Sequence, residues 1–321
     1  MENIHHDVHT SFILEPLENI LKKGITPGTA IDDGINAFPI GEYFMQSLFL
    51  RMTGAQEQKM KCICWELATN NYQYRYEFLK NKSYGECSSY KDKNEILGDI
   101  FYNIGIQKSD GVFAMWDDVE LDVRTIDTEK KKWKEEEKKW RLKTIDKSIA
   151  AKKAKGAPLS PEQERKMRDG ILGQSYDEAK FQKHLAKTKK EKFINKSLEE
   201  IYKLFDGTIM TKWSEREYAT FIKKYKADFN SVHFCKDKGE LLDSYLQKFY
   251  VEVVYNYRNR CAHNTVSYQR NLPSFDVLSD KFYYRQNFFF RYALLLLIDK
   301  IIVKAYKFYL CQKGCLEYGI G

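Results

Sequence analysis

Apolar residues recur at helical spacing through most of this 321-residue chain, and only six prolines interrupt them. Proline removes a backbone donor and clashes inside a helix, so long stripes at i, i+3, i+4 and i+7 with few prolines commit the chain to an all-α fold. Phe44, Leu48, Phe49 and Met52 mark an amphipathic helix over residues 40–52. Gly54 is expected to interrupt it, and Met60, Cys64, Leu67 and Ala68 then line a second helix to about residue 82. Shorter helices are expected over 11–23 and 94–106, separated by turn-forming residues around Pro27, Asp33 and Pro39. The apolar stretch 112–123 is too short to separate helix from strand. Further on, helices are expected around Leu198 to Phe205, over 213–229 and over 240–263. A strongly apolar one over 279–312 should be central, packed on more than one side.

Charge divides the chain. Residues 129–192 hold 21 basic and 11 acidic side chains, an excess of about +10, against +8 for the whole protein. The expected organisation is an N-terminal set of helices (1–125), a basic helical insertion (126–195) and a C-terminal set (196–321). Within the insertion, Ser160 caps a helix that has Pro161 at its first position. Trp133 and Trp140, seven residues apart, share a face. The preferred reading of this segment is a solvated helical hairpin or a floppy insertion. The other is an arm that contacts an RNA backbone and offers both tryptophans for stacking.

Seven cysteines without paired spacing read as reduced thiols of a cytoplasmic protein. The first residues lack the basic and apolar regions of a signal peptide. The most apolar run, 292–298, is seven residues against the roughly 20 needed to cross a bilayer. A soluble protein with no membrane association is expected. No Walker loop, dinucleotide fingerprint or His-Glu-x-x-His occurs, so no cofactor and no metal are expected. Cys62 and Cys64 read as buried thiols, and Cys311 and Cys315 lack zinc-site spacing. His5, His6 and His9 read as a disordered terminus, and His184 and His233 as isolated structural or exposed residues.

One stretch concentrates reactive side chains on a segment that otherwise reads as core: Arg258, Asn259, Arg260, His263 and Asn264. Leu246, Tyr250, Val253, Tyr257 and Cys261 form its expected buried stripe. Glu252, Asn256, Asn259 and His263 form a polar seam beside it. Arg258 and His263 lie roughly 140° apart on an ideal helix. They converge on one substrate only if the helix distorts near Ala262, or if a second copy of the motif supplies the partner.

Arg258-Asn259-Arg260-Cys261-Ala262-His263 resembles the Arg-Asn-x3-His signature of the HEPN superfamily of helical ribonucleases, in the form found in type VI CRISPR effectors and abortive-infection toxins. Its place at the end of a core helix, with a long apolar helix following, suits that family. The resemblance covers residues 240–312. It implies a HEPN-like helical bundle, to which the charged insertion is foreign, and a metal-independent endoribonuclease of a prokaryotic defence or toxin system. Arg258, Asn259 and His263 would be catalytic, with Arg260 and Asn264 contacting substrate. His263 can serve as base or acid near neutral pH, and Arg258 can fork onto phosphate oxygens. Asn259, one turn before His263, can orient its imidazole. One motif per chain implies a homodimer with a composite site, whose products would be a 2′,3′-cyclic phosphate and a 5′-hydroxyl. RNA is the expected substrate, a guide or regulatory RNA and an antitoxin or activator are candidate partners. The alternative is a non-catalytic module of the same fold that binds RNA or a protein. Glu57, Lys61 and Glu66 could face the site, as early helices do in some relatives, although an exposed Glu57–Lys61 pair one turn apart is the preferred reading.

Overall fold

The structure, a computed structural model, describes residues 2–28, 38–81, 87–156, 159–173, 175–205, 239–242, 244–262 and 288–314. The described residues form helices and turns and contain no strand: the fold is all-α. In chain order the helices are α1 (Glu2–Leu14), α2 (Glu18–Gly28), α3 (Phe38–Asn70), α4 (Tyr72–Asn81), α5 (Tyr90–Tyr102), α6 (Lys108–Ala114), α7 (Val123–Ala154), α8 (Pro161–Leu172), α9 (Glu178–Leu204), α10 (Ser244–Phe249), α11 (Asn256–Ala262) and α12 (Phe288–Gln312). A π-helical segment, Tyr250–Tyr255, joins α10 to α11 without a break. The predicted helix over 213–229 lies outside the described residues. The chain divides into two compact units, Trp116–Lys192 and the remainder, Met1–Met115 with Phe193–Gly321.

In the larger unit the N-terminal half of α12 is buried all round. Every residue from Phe290 to Asp299 is inaccessible, which matches the continuous apolar run Ala293 to Ile298. Among the described residues no helix is long and apolar enough to cross a membrane. Against α12 lies α3, which buries Leu48, Phe49, Met52, Met60, Ile63 and Leu67. The predicted interruption at Gly54 does not occur. Gly54 sits on the exposed side of α3, where a Cβ would meet nothing within 4 Å, so the helix loses only the roughly 1 kcal/mol of glycine's extra backbone entropy. The real break falls at Asn71, whose side chain accepts from the Tyr74 N–H (3.1 Å) and starts α4.

Near the N-terminus the single predicted helix over 11–23 is two helices, because Pro16 denies its neighbours a continuous ladder. The corner between them is pinned. Lys59 Nζ donates to the Glu15 carbonyl (2.7 Å) and the Leu17 N–H donates to Asp299 Oδ2 (2.9 Å). His9, expected in a disordered tail, lies in α1 with Nδ1 2.9 Å from Oε1 of buried Glu66. A buried carboxylate requires such a partner. The stretch 112–123 resolves as the end of α6 followed by turns.

The smaller unit has its own core of Trp133, Ile145, Phe181, Leu185 and Ala186. Trp133 is 2% exposed and packs on Tyr176 and Phe181 at 5.5 and 5.3 Å, so it offers nothing for stacking; Trp140 is 52% exposed. The seven-residue spacing put both on one face, but the helix partner covers only Trp133. Arg141 staples the α8–α9 connection. Its Nη1 donates to the Ile171 carbonyl (3.0 Å), its Nη2 to the Ser175 carbonyl (3.2 Å), and its guanidinium lies 5.2 Å from the Tyr176 ring. His184 is held by Glu129 (2.8 Å) and stacked on Phe181. Burial lowers its pKa against the opposing pull of Glu129. Ser160 caps α8 with Pro161 at the first helical position, as its sequence predicts, and Gln163 completes a reciprocal box.

Candidate functional site

The helix carrying the Arg-Asn pair is seated on α5 before it begins. Gly239 adopts φ +68, where its missing Cβ allows the backbone to approach Ser109. The Leu241 N–H then donates to Asn94 Oδ1 (3.0 Å), and the Leu242 N–H donates to the Tyr90 hydroxyl (3.0 Å), which returns a bond to the Leu242 carbonyl (3.3 Å). These bonds fix both the entry and the register of α10.

Register then shifts inside the helix. A π-turn closes its hydrogen bonds one residue later than an α-turn, so the inward stripe is delayed by one position. Leu246, Tyr250 and Tyr257 are buried as expected, but Val254 takes the place predicted for Val253, and Cys261 is only half-buried. With Val254 inward, Tyr257 and Arg258 follow three and four residues later on the same side. Tyr257 lies beneath the Arg291 guanidinium (3.4 Å to the ring centre) and edge-on to Phe49 (5.2 Å). The helix is distorted at Tyr250–Tyr255, upstream of the motif, and α11 is regular from Asn256 to Ala262, the last described residue before His263.

Arg258 therefore reaches α3. Its Nε and Nη2 donate to the two carboxylate oxygens of Glu57, both at 3.2 Å, and its Nη1 donates to Asn259 Oδ1 at 3.2 Å. Each side chain of the pair is 13% exposed. This corrects the reading of Glu57 as one half of an exposed pair with Lys61: its carboxylate is forked onto Arg258. A planar carboxylate facing a planar guanidinium fixes orientation as well as position.

Behind the fork lies a second cation. Lys93 is buried, donates Nζ to the Cys87 and Ser88 carbonyls (2.9 and 2.8 Å) and sits 5.5 Å from the Tyr250 ring. Cys87 turns the chain at φ +54, a left-handed conformation rare for a residue with a side chain, and the two carbonyls beyond that turn serve the ammonium. Burial lowers the Lys93 pKa to about 8, with Glu57 opposing and Arg258 adding to the fall. Tyr250 donates to the Ser88 carbonyl (3.1 Å); burial, then the Glu57 carboxylate, push its pKa upward. Burial likewise raises the Cys87 thiol.

Of the residues singled out by sequence, Arg258 and Asn259 are adjacent and bonded. His263, Asn264 and the Arg260 side chain lie outside the described residues. Sequence reading missed Lys93 and ranked the Glu57 contact second. A signal existed in α3, whose inward stripe carries Gln56, Lys59 and Glu66, all buried. Polar groups in a core seam demand partners on other helices. Compared with known proteins, the chain matches no family model, no curated protein and no solved structure.

Proposed function

We propose that this chain is a metal-independent RNA endonuclease of the HEPN type, acting in a prokaryotic defence or toxin system. The observation that carries the reading is the forked Arg258–Glu57 pair. A guanidinium followed directly by Asn259 is aimed by a π-turn, fixed by a carboxylate and left at the margin of the core. π-Turns are frequent at functional sites, and an oriented arginine is the group that stabilises charge on a phosphoryl centre.

In the proposed reaction the ribose 2′-OH attacks the adjacent phosphorus as a base accepts its proton. Arg258 forks onto the non-bridging oxygens as negative charge gathers there, and an acid protonates the departing 5′-oxygen. His263 serves in this proton transfer. The roughly 140° that separates the two residues on a regular helix favours Arg258 of one copy acting with His263 of a second, in a homodimer. A 2′,3′-cyclic phosphate and a 5′-hydroxyl result. Asn259, bonded to the guanidinium, holds its outer edge, and Arg260 and Asn264 contact the RNA strand. A guide or regulatory RNA, an antitoxin or an activator would control the activity, and the setting is cytoplasmic.

The test is incubation of the purified protein with mixed single-stranded RNA in EDTA. Wild type should give fragments ending in cyclic phosphate, and Arg258→Ala and His263→Ala should each slow this by about 100- to 1,000-fold, the scale of losing one transition-state donor. Circular dichroism checks that both variants fold. If both cut like wild type, the assignment is wrong. A salt-sensitive gel shift without fragments favours a binding module on the same helical scaffold.

A further inference from the structure

A cavity of about 260 Å³ opens beside the motif helix, between its outer stripe and the first turn of α5. Gln247, Val251 and Tyr255 line one side, four residues apart along one stripe; Tyr90, Lys91 and Asn94 line the other. The α5 side is rigid. Tyr90 and Asn94 are committed to the backbone of Leu241 and Leu242, and Asn94 also donates to Glu240. On the helix side, the Gln247 carboxamide makes no hydrogen bond among the described residues, and Val251 is 42% exposed. Tyr255 lies three residues before Arg258 and four before Asn259, so its ring and the forked guanidinium are neighbours on the helix surface.

We infer that this cavity is a nucleobase pocket, which seats the base flanking the scissile phosphate of a single-stranded RNA. The inference rests on the ribonuclease reading and supplies it with a specificity determinant. The volume falls below the roughly 300–1,000 Å³ of drug-sized sites, room for one ring system and not for a larger ligand. Apolar walls with an aromatic ring suit a base's face, and sequence-selective recognition of single strands works by stacking with hydrogen bonds to the base edge. Gln247 supplies one donor and one acceptor for that edge. Lys91, at the mouth and only loosely paired with Glu95 (3.8 Å), faces the polyanion's backbone. The occupant is an RNA base because the oriented guanidinium of Arg258, beside the cavity, is the group that binds phosphate in the proposed reaction, and a base joined to that phosphate through ribose is the apolar ring system nearest to it.

Two measurements test it. In the first, cleavage positions are mapped on a random RNA pool for wild type, Gln247→Ala and Tyr255→Leu. Wild type should prefer one base beside the cut. Gln247→Ala should flatten that preference, and Tyr255→Leu should raise KM for tetranucleotides by roughly tenfold, the scale of one lost stacking contact. In the second, binding of the four nucleoside 3′-monophosphates is followed by NMR on Arg258→Ala protein, with Val251→Trp added to fill the cavity. Shifts at Tyr255 and Gln247 that Val251→Trp removes support the pocket. RNA cleavage with no base preference in wild type, or with an unchanged preference in Gln247→Ala, overturns the pocket and leaves the ribonuclease standing. No cleavage but blockable nucleotide binding overturns the ribonuclease and keeps the pocket. Absence of both overturns both.

Discussion

Two ion pairs hang from α3 two residues apart, and their surroundings differ in every respect. Lys59 and Asp299 meet at 2.5 Å with side chains 2% and 3% exposed, and both have further bonds to the α1–α2 corner, at the Glu15 carbonyl and the Leu17 N–H. Glu57 and Arg258 meet at 3.2 Å, 13% exposed, in a fork whose guanidinium also donates to the neighbouring Asn259. The first pair closes on itself and joins α3, α12 and the N-terminal corner. The second leaves an oriented cation at the boundary with solvent. Since desolvation offsets much of the Coulomb gain of a sealed pair, Lys59–Asp299 is best understood as specifying which helices meet, while Glu57–Arg258 specifies where one charge points.

Removing one partner separates the two cases most sharply. Asp299→Ala strands a buried ammonium and should cost about 3–5 kcal/mol in urea denaturation, with Lys59→Met in the same chain restoring much of it. Arg258→Ala strands a carboxylate that water can still reach, so its cost should lie much nearer the ~1 kcal/mol of a solvent-accessible pair. Equal losses would erase the distinction. Lys93 extends the comparison to a cation with carbonyls in place of a carboxylate. Its folded pKa of about 8 lies below the free-amine value of 10.5, so between those values the unfolded chain holds a proton that the folded chain lacks. Stability should therefore rise as pH climbs from about 8 to 10.5, by on the order of 3 kcal/mol from this group, and be lost again as pH falls through 8. In Lys93→Met that increment should vanish from urea titrations at pH 7 and pH 10.

Much of this architecture was legible. The apolar periods marked α3, α5 and α12, and Ser160 with Pro161 marked the start of α8, because these signals are local. The π-turn was not legible, since Tyr250 to Tyr255 reads equally well with either Val253 or Val254 inward. The choice is made by what the helix packs against. Arg141 shows the same limit: among 21 basic residues of a charged segment, only the α8–α9 connection reveals which one is a structural staple. Gly54 misled because a glycine's cost depends on whether its face needs a side chain, which periodicity alone does not say. The Arg-Asn pair could be found from its residue types, whereas its orientation needed Glu57, some 200 positions earlier.

The finest test of the contrast keeps the shape of the outer pair and removes its charge. Glu57→Gln can still accept from Arg258 through its amide oxygen, but it gives up one of the two parallel bonds that hold the guanidinium plane. If Glu57 is a positioning residue, kcat for RNA cleavage should fall by roughly 10- to 100-fold, the scale of a small misplacement at the reacting centre. KM should fall as well, because a negative charge that competes with phosphate for the same guanidinium is gone. Glu57→Asp keeps the charge and should recover part of kcat without lowering KM. A merely structural Glu57 predicts a different pattern: lower stability with both kinetic constants unchanged in the folded fraction. A joint fall of kcat and KM thus distinguishes a carboxylate that aims a cation from one that only neutralises it, and the sealed Lys59–Asp299 pair, out of reach of any substrate, offers no such signature.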